Sequence, residues 1–127
     1  MPIPWSGQAA PFGFSPEGAS ATPWLPQPAD WGERGVEAQT GDETSMLELY
    51  RTALRLRREH PALGDGTLTW LDAPAGVLAF SREPGFVCVV NLSAEPYPLP
   101  GHTSTLLSSG PVEDGLLAPD QAAWSSV

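Results

Sequence analysis

The chain has no lysine, so its six basic residues, set against fifteen acidic ones, are all arginines and the formal net charge is −9. A protein that binds phosphates through charge needs a surplus of basic side chains. We therefore expect neither nucleic acid nor an anionic membrane surface as a partner.

Cysteine and histidine are nearly absent as well. The single cysteine, Cys88, has no partner for an internal disulfide, and the two histidines, His60 and His102, stand in no metal-ligand spacing. Because zinc takes three or four such ligands, we expect no metal, no cofactor and structural roles for these three residues. Cys88 lies among valines, where a thiol stays protonated and inert.

Long apolar runs are missing too. No stretch approaches the roughly 20 residues of a membrane span. The start of the sequence, from Met1 to Trp5, lacks the basic and apolar parts of a signal peptide. The sequence predicts a cytoplasmic protein with no membrane-spanning segment.

Common catalytic motifs are absent. There is no Gly-x-Ser-x-Gly nucleophile turn and no phosphate-binding glycine loop. Two carboxylates about 5–5.5 Å apart on rigid elements would suffice for a retaining glycosidase, but those nearest the aromatic residues lie on no predicted strand end. We expect these four to be solvated surface groups: Asp30, Glu37, Asp42 and Glu43.

The sequence is instead rich in glycine (13 residues) and proline (15 residues). From Met1 to about Gly41 no helical or strand period survives, which predicts a long irregular arm. Disordered segments are poor in aromatic residues. The aromatic residues of the arm therefore indicate that it packs on something: Trp5, Phe12, Phe14, Trp24 and Trp31.

One amphipathic helix is predicted from about Thr44 to Glu59. Ser45 and Glu48 have the spacing of a capping box, with Asp42 or Thr44 as alternative caps. Apolar side chains recur on one broad face with the 3.6-residue period: Met46, Leu47, Leu49, Tyr50, Ala53, Leu54 and Leu56. So broad an apolar face predicts burial against a partner.

From about Gly66 to Val127 the sequence predicts short strands separated by proline and glycine turns. Phe86 to Leu92 is nearly all apolar and β-branched, which indicates a central strand covered on both faces. Further strands are predicted around residues 68–70, 77–81, 103–108, 112–117 and 121–125. This spacing favours an antiparallel sandwich or barrel.

The arm also has Pro23 and Pro26 in Pro-x-x-Pro spacing, the pattern of ligands for peptide-recognition domains. Such ligands usually carry a basic residue beside the motif, and the nearest one here, Arg34, is eight residues away. A peptide-ligand role is therefore the weaker interpretation of this arm.

A series of short motifs follows one another along nearly the whole chain. They are Pro2 to Gly7, Pro11 to Ser15, Trp24 to Pro28, Val36 to Gln39, Ser45 to Arg51, Leu54 to Arg57, His60 to Leu63 and Phe86 to Ser93. In this order they resemble the tail of bacterial α-glucosidases, which belong to the α-amylase family of glycoside hydrolases.

The resemblance implies an α+β fragment with a long irregular arm, the last barrel helix and an antiparallel β-sandwich. In that family a (β/α)8 catalytic barrel precedes the sandwich, so residues 1–63 would be the tail of the barrel and residues 64–127 the sandwich. The arm would lie near the barrel mouth. Trp5, Phe12 and Phe14 are accordingly the candidate substrate-binding residues, and packing on the barrel rim is their alternative role.

The resemblance also implies what the chain lacks. The catalytic carboxylates of the family lie on earlier barrel strands and have no counterpart here, so no residue is assigned a catalytic role. We expect a fragment of a retaining α-glucosidase for terminal bonds of short maltose- or isomaltose-type sugars, inactive without the missing catalytic barrel. The alternative is a free-standing accessory module that binds glycan or a partner subunit through Trp70 and Trp124.

Overall fold

A computed structural model describes residues 2–16, 18–21, 23–101 and 103–127. The chain divides into two compact units, Met1–Tyr50 and Arg51–Val127. The predicted boundary after residue 63, between a barrel tail and a sandwich, stays a prediction. The structural role predicted for His102 lies outside the described residues.

The N-terminal arm is irregular, as predicted, but it has its own hydrogen-bonded structure. The amides of Trp5 and Ser6 both donate to the carbonyl oxygen of Phe12, at 2.7 and 3.1 Å, and close a compact turn. Farther along, a 3₁₀ helix, Ala29–Arg34, leads into the one-turn helix α1, Val36–Gln39. Sequence periodicity missed these two elements because each is too short to establish a repeat.

The long helix α2 spans Met46–Glu59, beginning two residues after the predicted start. Ser45 caps it, since its Oγ accepts a hydrogen bond from the Glu48 amide at 3.2 Å and donates to the Gln39 carbonyl at 2.9 Å. The Glu48 carboxylate accepts from the Gly41 amide at 3.1 Å, which ties the preceding loop to the first turn. No residue of α2 is buried.

The second unit is built from short antiparallel strands preceded by a 3₁₀ turn, Pro61–Leu63. Five strands form one sheet in the order β1-β2-β3-β7-β5, and two form a second sheet, β4-β6. Their bounds are β1 Leu68–Trp70, β2 Val77–Arg82, β3 Phe86–Asn91, β4 Tyr97–Pro98, β5 Ser104–Ser108, β6 Leu116–Leu117 and β7 Gln121–Ser126. The predicted α+β fold class with an antiparallel sandwich is confirmed.

The five-stranded sheet packs apolar side chains on both of its faces. On one face, Val77, Val89 and Ala123 meet Leu117 of the small sheet, which makes the core of the sandwich. On the other face, Phe86 and Cys88 pack with Ala62 of the 3₁₀ turn. The central strand β3 is therefore covered on both sides, as its continuous apolar sequence predicts.

Candidate substrate-binding surface

The candidate aromatic residues share one segment of the first unit, residues 4–14, which we call the aromatic loop. Trp5 is 50% exposed and Phe14 is 48% exposed, whereas Phe12 is only 2% exposed. Flat aromatic rings bind the apolar faces of sugars only where the ring is accessible. The rings of Trp5 and Phe14 are therefore accessible, while Phe12 fills the interior of the loop that carries them.

The aromatic loop is fastened to the segment around helix α1. The amide of Val36 donates to the Pro4 carbonyl at 3.2 Å, and the amide of Glu37 donates to the Trp5 carbonyl at 2.8 Å. The carboxylate of Glu37 accepts from the Gly7 amide at 2.9 Å. These bonds fix the backbone on both sides of the Trp5 side chain.

Close packing supports the same attachment. A Cβ atom at Gly32 would lie 2.6 Å from the Gln8 side-chain oxygen and 3.1 Å from its Cα atom, so Gln8 would have to shift to admit a larger residue. Within the loop, Gly13 adopts a positive φ of 67°, a conformation that other residues rarely adopt. Gly32 thus allows a close approach of the two segments, and Gly13 allows the turn of the loop.

A cavity of about 810 Å³ is formed by the loop and the residues that follow it, as far as Pro23. Its described lining includes Phe12, Ser6 and Ser15, but neither Trp5 nor Phe14 and no histidine, aspartate or glutamate. Its described side chains supply no acid, base or carboxylate nucleophile.

The four carboxylates considered in the sequence are all exposed. Asp30 forms an ion pair with Arg34 at 2.9 Å. Asp42 accepts hydrogen bonds from the Thr44 hydroxyl and amide, which hold the pKa of its carboxyl below the usual value. Glu43 is exposed, and Glu37 binds the aromatic loop. The contacts described for Asp30, Asp42 and Glu37 are thus with a guanidinium, a hydroxyl and backbone amides.

Two of the residues considered at the sequence level have structural roles in the second unit. The Nδ1 atom of His60 accepts from the Ala62 amide at 3.3 Å and caps the 3₁₀ turn, and its ring packs edge-on against Phe86. Burial raises the pKa of the Cys88 thiol, an effect that a hydrogen bond with Trp124 partly opposes. A protonated, buried thiol is a poor nucleophile.

The two tryptophans proposed for an accessory module differ in exposure. Trp70, on the edge strand β1, is 66% exposed and rests edge-on against Phe80. Trp124 is partly buried in the apolar cluster around Phe86, with the ring centroids 5.7 Å apart. Of the two, Trp70 is the one with a largely accessible ring.

The described ranges were compared with the residue patterns of metal sites and of membrane spans. No group of three histidine, cysteine, aspartate or glutamate residues within them is placed to hold a metal ion. Nor does any helix of this part of the chain combine the length and the apolar character needed to cross a bilayer.

Sequence reasoning treated Glu37 as a solvated surface group and missed its contact with the aromatic loop. The contact joins residues thirty positions apart, a separation that no local pattern encodes. The one sequence feature that could have drawn attention to Glu37 is the short motif Val36 to Gln39, which is among the motifs that resemble known enzymes.

No family model matches the chain, but individual proteins do. It is 38% identical over 86 residues to a probable α-glucosidase of Rhizobium meliloti strain 1021, an alignment covering 65% of this chain and 15% of that protein. It is also 38% identical over 105 residues to a malto-oligosyltrehalose trehalohydrolase of Brevibacterium helvolum, covering 76% of this chain and 17% of the relative.

A solved structure shows the same likeness. A variant of the trehalulose synthase MutB of Pseudomonas mesoacidophila, crystallised with Tris, matches with a TM-score of 0.75 and 29% identity over the whole of this chain. The match takes up 25% of that longer protein. The chain thus spans a quarter or less of the proteins that it resembles.

Proposed function

Since this chain is homologous to enzymes of the α-amylase family of glycoside hydrolases, we propose that it forms the C-terminal part of a retaining α-glucosidase. The homologues are glycoside hydrolases and glucosyl-transferring enzymes. Within these two classes of activity, the proposal is hydrolysis of terminal α-glucosidic bonds in short maltose- or isomaltose-type oligosaccharides. The observation that carries it is the 38% identity over 86 residues to the probable α-glucosidase of Rhizobium meliloti.

The missing partner in this proposal is a catalytic barrel. Met46, Tyr50 and Leu54 recur every four residues along α2, and all three are exposed. Such a row of apolar side chains is usually covered in a folded protein. Contact with the barrel would cover it.

The aromatic loop supplies the substrate contacts in the proposal. Trp5 and Phe14 expose about half of their surface and would pack against sugar rings, with Phe12 as their internal support. The carboxylates that form and hydrolyse the glucosyl-enzyme intermediate would come from the barrel. This chain orients the sugar and provides neither the nucleophile nor the acid.

A cytoplasmic location is part of the proposal. The chain has one cysteine, and its thiol is buried in the apolar cluster beside Phe86. A free buried thiol without a disulfide partner is the usual state in a reducing compartment.

The test compares the chain alone with a chimera in which the 127-residue chain replaces the homologous segment of the Rhizobium meliloti relative. Hydrolysis of a chromogenic α-glucoside is the readout. We expect no turnover by the chain alone and turnover by the chimera. Turnover by the chain alone would show that its own residues catalyse, and a folded chimera without turnover would contradict the proposed role.

The accessory-module alternative predicts a different result, which a binding measurement on the chain alone can detect. If the chain alone bound maltodextrin saturably without turnover, and Trp70→Ala abolished that binding, the exposed Trp70 ring would be a glycan platform. A Trp70→Ala chain that bound as the original chain does would exclude this platform.

A further inference from the structure

We propose that Glu37 is a positioning residue that sets the affinity of the enzyme for its sugar by holding the aromatic loop in place. The inference rests on the proposed function, because it concerns the loop that carries Trp5 and Phe14. Glu37 itself would touch neither the substrate nor the reacting atoms.

Glu37 holds the backbone that directly follows Trp5. Its amide donates to the Trp5 carbonyl at 2.8 Å, and its carboxylate accepts from the Gly7 amide at 2.9 Å. The Trp5 amide in turn donates to the Phe12 carbonyl at 2.7 Å. The peptide groups on either side of the Trp5 side chain are thereby fixed.

The carboxylate acts at Gly7, which lies inside the turn that the bonds from Trp5 and Ser6 to Phe12 close. Gly7 adopts a positive φ of 79°, and nothing lies within 4 Å of the position its Cβ would occupy. Gly7 is exposed as well, so hydrogen bonding contributes more to its position than packing does. The Glu37 carboxylate supplies an acceptor for its amide from thirty positions along the chain.

Loss of this bond should weaken binding more than it slows chemistry. A loop that is ordered before the sugar arrives avoids the entropic cost of ordering on binding. Without the Glu37 carboxylate, that cost would lower the affinity for substrate. The reacting groups would belong to the barrel, so the rate of the bound complex should change little.

The first test measures KM and kcat for the chimera carrying Glu37→Ala or Glu37→Gln. We expect Glu37→Ala to raise KM about five-fold with kcat nearly unchanged, the size of effect that loss of one ordinary hydrogen bond produces. Glu37→Gln keeps an acceptor oxygen and should stay close to the original KM. Glu33→Ala, which removes an exposed carboxylate from the neighbouring 3₁₀ helix, is the matched control and should change neither constant.

The second test uses the 127-residue chain itself and measures hydrogen exchange of the peptide that contains Gly7. Exchange should be slow in the original chain and in Glu37→Gln, and fast in Glu37→Ala. Equal exchange in the original chain and in Glu37→Ala would overturn the inference, because the carboxylate would then hold nothing.

Trp5→Ala in the chimera separates this inference from the proposed function. If Trp5→Ala leaves KM unchanged, the aromatic loop does not contact sugar and that part of the proposed function fails. If Trp5→Ala raises KM and Glu37→Ala does not, the loop binds sugar but Glu37 does not position it. A fall in kcat for Glu37→Ala with KM unchanged would also contradict a positioning role.

Discussion

At the scale of single residues, Asn91 shows how one polar side chain can tie the end of β3 to the following loop and to β6. It is 0% exposed at the end of β3. Its Nδ2 donates to the carbonyl oxygens of Glu95 and Leu117 at 2.8 and 2.9 Å, and its Oδ1 accepts from the Ser93 amide and hydroxyl at 3.0 and 2.6 Å. All four bonds available to the amide group are made, so a role in structure accounts fully for its burial.

We expect Asn91→Leu to lower the free energy of unfolding by about 3 kcal/mol. The variant leaves the buried carbonyl oxygen of Leu117 without a donor, and unsatisfied buried polar groups are costly. Urea denaturation of the intact chain is the measurement. Glu95→Ala is the control, because it removes an exposed side chain and keeps the carbonyl that Asn91 binds, and it should change stability by less than about 0.5 kcal/mol. A tolerated Asn91→Leu would contradict the role assigned to this network.

At the scale of elements, the connection between the 3₁₀ turn and β1 is tightly constrained. Arg82 on β2 donates from Nη2 to the carbonyl oxygens of Gly64 and Gly66, at 2.9 and 2.8 Å, and from Nε to Gly66 at 3.1 Å. A Cβ atom at Gly66 would overlap the carbonyl oxygen of Glu83 and lie 2.6 Å from that of Ala62. Both obstacles are backbone atoms, which cannot rotate away.

Gly66→Ala should therefore lower the free energy of unfolding by about 3 kcal/mol, since a backbone overlap forces main-chain movement or strain. Thermal and urea unfolding of the whole chain are the measurements. Gly101→Ala is the matched control, because no atom lies within 4 Å of the position that its Cβ would take. Comparison of Gly66→Ala with Gly101→Ala separates the effect of crowding from the general effect of replacing glycine. Equal free energies of unfolding for the two variants would show that the turn at Gly66 can relax.

The elements differ in how far the sequence could predict them. The helix from Met46 and the strands Val77–Arg82 and Phe86–Asn91 were predicted within one or two residues, because their apolar periodicity is strong. Strand β4, Tyr97–Pro98, was missed, since two residues with proline carry no period. The predicted strand at residues 112–117 shortens to Leu116–Leu117, because Asp114 and Gly115 turn with positive φ angles of 50° and 73°.

The candidate site was predictable only in part. Resemblance to known enzymes pointed to Trp5, Phe12 and Phe14. No local pattern could show that Phe12 is buried while Trp5 and Phe14 are exposed. Burial of Phe12 follows from the turn that its carbonyl closes. The contact between Gly7 and Glu37 depends on the folded path of the residues between them, which are thirty positions apart.

At the scale of the whole molecule, the main feature is apolar surface without a partner among the described residues. The sequence predicted that the broad face of α2 would be buried, yet no residue of the helix is buried, and Tyr50 is 62% exposed. Trp24 in the arm is also almost fully exposed. The chain spans a quarter or less of its relatives' length. A barrel supplied by the rest of such a protein, as proposed, would cover the apolar face of α2 that is exposed in the chain alone.

Tyr50→Glu tests this account, because its effect should depend on whether a barrel is present. In the chain alone, the substitution places a carboxylate on an exposed helix surface and should change the free energy of unfolding by less than about 0.5 kcal/mol. In the chimera, the carboxylate would be buried without a partner, which costs several kcal/mol. We therefore expect a fall in melting temperature and in the yield of folded chimera.

Arg58→Glu is the control, since it places the same carboxylate among the charged residues near the end of α2. It should be mild both in the chain and in the chimera. A Tyr50→Glu chimera as stable as the original would show that this row of side chains faces solvent in the complete enzyme. Destabilisation of the chain alone by Tyr50→Glu would show instead that Tyr50 contributes to the fold of these 127 residues. Only destabilisation confined to the chimera supports α2 as the helix that joins this chain to a catalytic barrel.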